Sequence, residues 1–270
     1  VFHTLPDGSK MYYEVQGNLD ADKTLVFLGG LSQSTIAWTG YLPSLKANYR
    51  IVLVDLIFQG QSDAPAEARS FEDHANDVKH LLDALKFDNI YLIGISYGGA
   101  VSLRLLVNYP QAVTKSVIMA SFAHKPPMFD AFGVSWFSAL QSGGYPLMLD
   151  VMLPAVLGRS YFENPLIPIE VIKNGRRDLH LPTTNLMKLM QATAESGDYR
   201  KELAKIKVPV RVIVGEEDIL CTPAINQAIA DHIPTSDMKR IPKAGHTLNL
   251  EAIPQTMKLI IDFVESEVAV

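Results

Sequence analysis

An α/β fold, with a doubly wound, mostly parallel sheet, is what this 270-residue sequence predicts. Three observations predict it. Apolar runs rich in Val and Ile recur as continuous rather than alternating stretches, the pattern of strands covered on both faces in a parallel sheet. Segments with apolar residues at helical spacing separate them, and strand–helix alternation means crossover units. The alternation stops between about 122 and 203, where only helical pieces appear. The expected organisation is therefore a core of residues 1–121 and 204–270 with a helical cap, residues 122–203, inserted between two strands.

MYYEVQG (11–17) alternates and reads as an early edge strand. TLVFLGG (24–30), RIVLVDL (50–56), NIYLIGIS (89–96), VTKSVIMAS (113–121) and PVRVIVGE (209–216) read as buried strands, and SDMKRIPK (236–243) as a weak last one. Ser70 and Asp73 form a capping-box-like start, and Val78, Leu81, Leu82 and Leu85 then supply an apolar helical stripe. A second helix runs over 97–109 and stops before Pro110; the last two cover 223–233 and 253–268. In the insertion, helical pieces at 129–141, 145–157 and 184–194 are parted by Gly143-Gly144 and several prolines. Parallel sheets bind ligands beyond the C-terminal ends of their strands, so the insertion reads as a lid over a pocket.

Composition narrows the function classes. The 24 Lys plus Arg against 29 Asp plus Glu give a net charge of −5, which argues against a duplex nucleic-acid binder. The one cysteine, Cys221, excludes an intrachain disulfide and a multi-cysteine zinc site, and suits a reducing compartment. No window approaches the ~20 apolar residues of a membrane span, and VFHTLPDGSK lacks the pattern of a secretory signal. A cytoplasmic location is expected.

Gly94-Ile95-Ser96-Tyr97-Gly98 follows a strand and opens a helix, the context in which a G-x-S-x-G turn exposes a serine nucleophile. The helix N-terminus favours negative charge developing beside Ser96. A serine hydroxyl needs a base. Of the seven histidines, His246 in KAGHTLNLE stands in the loop after the last strand, at the sheet end that holds Ser96. His3, His74, His80, His180 and His232 read as surface or packed residues, and His124, after the 113–121 strand, as a pocket-lining candidate. A carboxylate should orient the base. In VIVGEEDILCTP the choice is Asp218, with Glu217 in reserve, because Ser96, Asp218, His246 is the chain order such hydrolases use. Backbone donors for a developing oxyanion should be the amide of Tyr97 and that of Leu31 in the Gly29-Gly30-Leu31 loop, with Gly30 next.

Taken together, GISYGG, GEEDILCTP, AGHTLNLE and the DLIFQGQSD loop at 55–63 resemble the motifs of the α/β-hydrolase superfamily, over nearly the whole chain. The resemblance implies that fold, the Ser96, Asp218, His246 triad and no cofactor. Two departures stand out: Gly29 replaces the histidine that usually opens and braces the oxyanion loop, and Ile57-Phe58 replaces the usual Arg-Gly pair. Both are similar to a bacterial branch of acyltransferases that use hydroxyacyl thioesters in rhamnolipid-precursor and polyhydroxyalkanoate synthesis. A serine at 96 excludes the epoxide-hydrolase and dehalogenase branches, which need a carboxylate nucleophile.

Met128, Phe129, Phe132, Trp136, Phe137, Tyr145, Met148, Met152, Tyr161 and Phe162 crowd the first half of the cap, which suits an apolar acyl chain; Trp136 and Phe137 are the chosen substrate contacts. Lys173, Arg176 and Arg177 form a basic cluster that would steer a phosphorylated carrier, coenzyme A or acyl carrier protein, or simply face solvent. The expected activity is hydrolysis of carboxylic esters or thioesters; the alternatives are acyl transfer from a thioester to an alcohol or thiol, and a small-molecule receptor on the same fold.

Overall fold

The computed structural model describes residues 1–177 and 181–267, and the side chains of all of these except Arg176 and Arg177. The core elements are β1 (Phe2–Thr4), β2 (Lys10–Gly17), β3 (Thr24–Leu28), a 3-10 segment (Thr35–Tyr41), α1 (Leu42–Leu45), β4 (Arg50–Val54), α2 (Phe71–Leu85), β5 (Ile90–Ile95), α3 (Tyr97–Asn108) and β6 (Lys115–Met119). Among the described residues, four helices follow without a strand: α4 (Pro127–Val156), α5 (Arg159–Glu163), α6 (Ile169–Arg177) and α7 (Thr183–Glu195). A second 3-10 segment (Arg200–Lys205) then leads to β7 (Val210–Gly215), α8 (Pro223–His232), β8 (Ser236–Ile241), α9 (Leu248–Glu251) and α10 (Ile253–Glu265).

The eight strands form one sheet in the order β1-β2-β4-β3-β5-β6-β7-β8. From β4 to β8 every neighbouring pair is parallel, and β2 runs antiparallel to both β1 and β4. The 11–17 strand is thus second in the sheet rather than its edge; the edge is β1, whose three residues are too few to show a period. Successive residues of a strand point to opposite faces. Val26 and Leu28 accordingly join a core with Val78, Leu81 and Leu103 of α2 and α3, while Leu25 and Phe27 join another with Trp38, Tyr41 and Ile260. Both faces are covered, which is why β3, β5 and β6 are buried at every position and read as unbroken apolar runs.

The insertion is helical as expected. Gly143 and Gly144 leave helical geometry (φ −143° and 66°), so α4 is two helices meeting at that pair. Its end is clamped to the core: Val156 O accepts from the His246 and Thr247 amides, both at 3.1 Å, and from Thr247 Oγ1 at 2.9 Å. The last carbonyls of a helix have no intrahelical donor, so the end of α4 and the 245–247 loop satisfy one another. Among the described residues no helix is long and apolar enough to cross a membrane.

Candidate active site

Ser96 leaves β5 with φ 52° and ψ −113° and begins α3. A non-glycine residue at positive φ costs on the order of 1–3 kcal/mol and needs its surroundings to hold it. They do: Ser96 N–H donates to Met119 O at 2.9 Å, and Ser96 O accepts from Ala100 N–H at 3.0 Å and Ser121 Oγ at 2.8 Å. Glycine at 98 is required by closeness, since a Cβ there would lie 2.4 Å from Leu28 O and 2.6 Å from Gly29 O. That contact brings the loop after β3 against the serine turn, where Gly98 N–H donates to Gly29 O at 3.0 Å.

His246 joins Ser96 to Asp218. Its Nε2 lies 2.9 Å from Ser96 Oγ and its Nδ1 2.9 Å from Asp218 Oδ2. The acceptor-only carboxylate assigns the proton to Nδ1, so Nε2 is free to accept from the Ser96 hydroxyl. Asp218 is buried and its Oδ1 accepts from the amides of Leu220 (2.9 Å) and Cys221 (2.8 Å), which turns Oδ2 toward the imidazole. Glu217, the reserve choice, points elsewhere: its carboxylate accepts from Ser160 N–H (2.7 Å) and Ser160 Oγ (2.6 Å), and those bonds hold its pKa below the usual carboxylate value.

The loop after β3 is held by side-chain amides. Gly30 N–H donates to Gln33 Oε1 at 3.0 Å, and Gly30 O accepts from the buried Gln59 Nε2 at 3.0 Å. Asn249 Nδ2 donates to the same Gln33 Oε1 at 3.1 Å. The Gly30 and Gly98 amides are thus both committed within this loop and turn. The Tyr97 side chain is buried against Phe71 and His74, and burial pushes its hydroxyl well above the ordinary tyrosine pKa. Gln33, Gln59 and Asn249 occupy the bracing role that the residue at 29 was expected to leave empty, and the sequence reading missed all three. A glutamine inside the DLIFQGQSD turn was the available signal. Glu251 was missed as well: its carboxylate accepts from Gly158 (2.8 Å), Gly245 (2.9 Å) and Thr247 (3.0 Å) amides, bracketing His246. Burial nonetheless raises its pKa.

Two cavities meet at Ser96. One, of ≈ 60 Å³, is lined by Gly30, Gln33, His246, Thr247 and the second half of α4. The other, an apolar groove of ≈ 690 Å³ between α4 and α7, is lined by Tyr97, Phe122, Phe129, Phe137, Met187 and Met190. Leu31, Ser96, Trp136 and Leu220 border both. Of the expected contacts, Trp136 and Phe137 thus lie at the groove and Gly30 at the small cavity. His124 lines neither; it is half-buried near Arg200 and Asp198, and burial lowers its pKa. Among the other cap residues, Tyr145 and Met148 are buried packing, while Met128 and Phe162 are exposed. In the basic cluster, Lys173 pairs with Asp150 at 2.9 Å; the side chains of Arg176 and Arg177, and His180, lie outside the described residues.

A family model described as the α/β-hydrolase fold matches residues 23–144. A Stutzerimonas stutzeri protein with the provisional name carbamate hydrolase RutD is 28% identical, over 93% of this chain and 96% of its own length. The 2-hydroxy-6-oxononadienedioate/2-hydroxy-6-oxononatrienedioate hydrolase of Burkholderia vietnamiensis is 24% identical, over 97% of this chain and 93% of its own. Among solved structures, MGS-M2, an α/β-hydrolase enzyme from a Medee basin deep-sea metagenome library, superposes with a TM-score of 0.91 at 23% identity, covering 100% of this chain and 99% of that one. These matches coincide with the fold expected from the motifs: the chain has the α/β-hydrolase fold.

Proposed function

We propose that this protein is a serine hydrolase that cleaves carboxylic esters or thioesters with apolar acyl groups through an acyl-enzyme on Ser96. The observation that carries the reading is the unbroken line Ser96 Oγ, His246, Asp218, at 2.9 Å and 2.9 Å, standing at the foot of an apolar groove. His246 Nε2 takes the hydroxyl proton as Oγ bonds to the substrate carbonyl carbon. The carbonyl oxygen gains negative charge and accepts from the Leu31 and Tyr97 amides, donors fixed before the reaction begins. Asp218 holds the tautomer and stabilises the imidazolium. The tetrahedral centre collapses, the bond to the leaving oxygen or sulfur breaks, and His246 returns its proton to that atom. Water then repeats the sequence on the acyl-enzyme and releases the acid and Ser96.

The groove walls favour an apolar acyl chain. Each fully buried methylene is worth about 0.8 kcal/mol, or nearly fourfold per carbon. A panel of acyl esters and acyl thioesters from acetyl to dodecanoyl, assayed with and without an alcohol acceptor, tests the proposal. Free acid should form in the absence of acceptor, with kcat/KM rising along the series. Product formation that requires the acceptor would overturn hydrolysis in favour of acyl transfer, and ligand binding without turnover would favour a receptor.

A further inference from the structure

We propose that Glu251 is a positioning residue for His246: one anion on which both the histidine loop and the end of the cap hang, and a second negative charge near the imidazolium, a role that rests on the serine-hydrolase reading above. The backbone of residues 245–247 carries the catalytic base, and its amides all donate outside the loop. Gly245 N–H donates to Glu251 Oε2 at 2.9 Å, and His246 N–H to Val156 O at 3.1 Å. Thr247 N–H donates to Val156 O at 3.1 Å and to Glu251 Oε1 at 3.0 Å. Two acceptors thus set the height and tilt of the His246 backbone: the last carbonyl of α4 and the Glu251 carboxylate.

Two glycines make the shared acceptor possible. A Cβ on Gly245 would lie 2.2 Å from Gly158 N, and one on Gly158 would lie 2.7 Å from Gly245 N and 3.0 Å from Glu251 Oε2. With neither side chain present, the backbone that leaves α4 touches the backbone that precedes His246. One oxygen, Glu251 Oε2, then accepts from both, from Gly158 N–H at 2.8 Å and from Gly245 N–H at 2.9 Å. Glu217 is the contrast. It also holds the end of the cap, but its carboxylate bonds end on Ser160.

The donor set calls for a carboxylate. Three N–H groups converge on two oxygens, and an ionised carboxylate only accepts. The NH2 group of a glutamine would face Thr247 N–H at the Oε1 position, or the Gly158 and Gly245 N–H groups at the Oε2 position. The charge has its own effect. Glu251 is half-buried, and burial raises its pKa against the pull of the three amides and of His246. Around it stand His246, the buried Tyr161 and Glu217, the last offset by Arg159 and Lys243. Each time Nε2 takes a proton from Ser96 or from water, the imidazolium therefore has two anions to stabilise it, Asp218 at Nδ1 and Glu251 from the side of the loop backbone.

Glu251→Gln and Glu251→Asp test the role through the pH profile of ethyl octanoate hydrolysis, with Glu217→Ala as a control that frees the cap at Ser160 alone and with rates referred to active sites titrated by an alkyl fluorophosphonate. Glu251→Gln should lower kcat roughly 10- to 100-fold with KM within about twofold of the parent's. It should also move the acid limb of kcat/KM to lower pH by about half a unit or more, because the imidazolium loses one of its two anions. Glu251→Asp keeps the charge on a shorter stem, so its limb should stay at the parent's position while kcat falls. Glu217→Ala should leave the limb and kcat unchanged. One measurement needs no variant: as pH falls, the Gly158, Gly245 and Thr247 amide protons of the unaltered protein should shift in its NMR spectrum with one common midpoint. A limb unmoved in Glu251→Gln, an equal movement in Glu251→Asp or Glu217→Ala, or three amides without a common midpoint would overturn the role. An unaltered protein that releases no acid from any ester and takes no fluorophosphonate adduct on Ser96 would instead bring down the serine-hydrolase reading, and this role with it.

Discussion

Ser96 holds a φ of 52° because three backbone and hydroxyl partners fix it, and the same strain lifts its Oγ out of the strand–helix turn toward His246. Ser96→Ala, His246→Ala and Asp218→Asn should each remove most of the activity while leaving the melting curve near the parent's. Residues acting as a unit lose little more in pairs than singly, so Ser96→Ala/His246→Ala should be scarcely slower than either; steady-state rates on ethyl octanoate measure this. Glu217→Ala is the contrast. It removes two bonds to Ser160 and should lower stability by about 1–2 kcal/mol while the chemical step persists; a kcat as low as that of Asp218→Asn would mean that the wrong acid has been chosen. His74 sets a pH dependence of another kind. It is fully buried between Phe58 and Tyr97, and burial, with the Arg69 charge, drives its pKa from 6.5 to about 3. Between those values the unfolded chain binds the proton and the native one does not. This residue's share of stability is therefore complete above pH 6.5 and lost as pH falls toward 3. Asp77, raised by burial to about 6, acts with the opposite sign: its share is present below about 3.8 and lost as pH rises through 6. Comparing parent with His74→Phe isolates the histidine. The variant should lose roughly 2–3 kcal/mol less between pH 7 and 4.5 in urea unfolding, and identical pH slopes would refute the assignment. At this scale the sequence singled out Ser96, Asp218 and His246 as candidates because each sits in a short local pattern, and the structure brings the three side chains together. It hid Gln33, Gln59 and Glu251 because their roles depend on which backbone group comes to face them across the fold.

The turn between β5 and α3 and the loop after β3 behave as one element, joined at Gly98. Gly98→Ala would push a methyl against two backbone oxygens, at 2.4 Å and 2.6 Å, neither of which can rotate away. Overpacking of this kind costs about 1–3 kcal/mol, and the displaced partner is the loop that carries the Leu31 amide. The variant should lose activity by a larger factor than its drop in melting temperature would suggest, through kcat more than KM. A simple loss of folded protein, with kcat per folded molecule unchanged, would contradict the coupling. The strands were legible because burial on both faces leaves an unbroken apolar run, and the bend in α4 because two adjacent glycines interrupt an otherwise helical pattern. The short elements were not: β1, α5 and α9 have three to five residues each, fewer than one or two periods of any pattern. The Ser70 and Asp73 pair did form the reciprocal cap expected of it, with Asp73 N–H on Ser70 Oγ at 3.1 Å and Ser70 N–H on Asp73 Oδ2 at 2.9 Å.

Across the whole molecule, the insertion makes one wall of both cavities while the sheet supplies the groups at Ser96. The existence of helical cover was legible from the missing strands. The split into a small cavity and a large groove was not, because it depends on how α4, bent at Gly143-Gly144, lies against the His246 loop. Trp136→Ala should merge the cavities it borders and flatten the rise of kcat/KM with acyl length more than it lowers turnover of ethyl acetate; Phe137→Ala, on the groove side, should do so more weakly. A chain-length profile untouched by either would leave the insertion as cover for the sheet. The central claim, a covalent acyl-enzyme on Ser96, is tested most directly by reacting the protein with an octyl fluorophosphonate and mapping the adduct by peptide mass spectrometry. The account predicts one adduct per chain, on Ser96, formed in step with the loss of esterase activity and absent from Ser96→Ala. An adduct on Ser102, Ser121 or Ser135, or undiminished ester hydrolysis by Ser96→Ala, would contradict it.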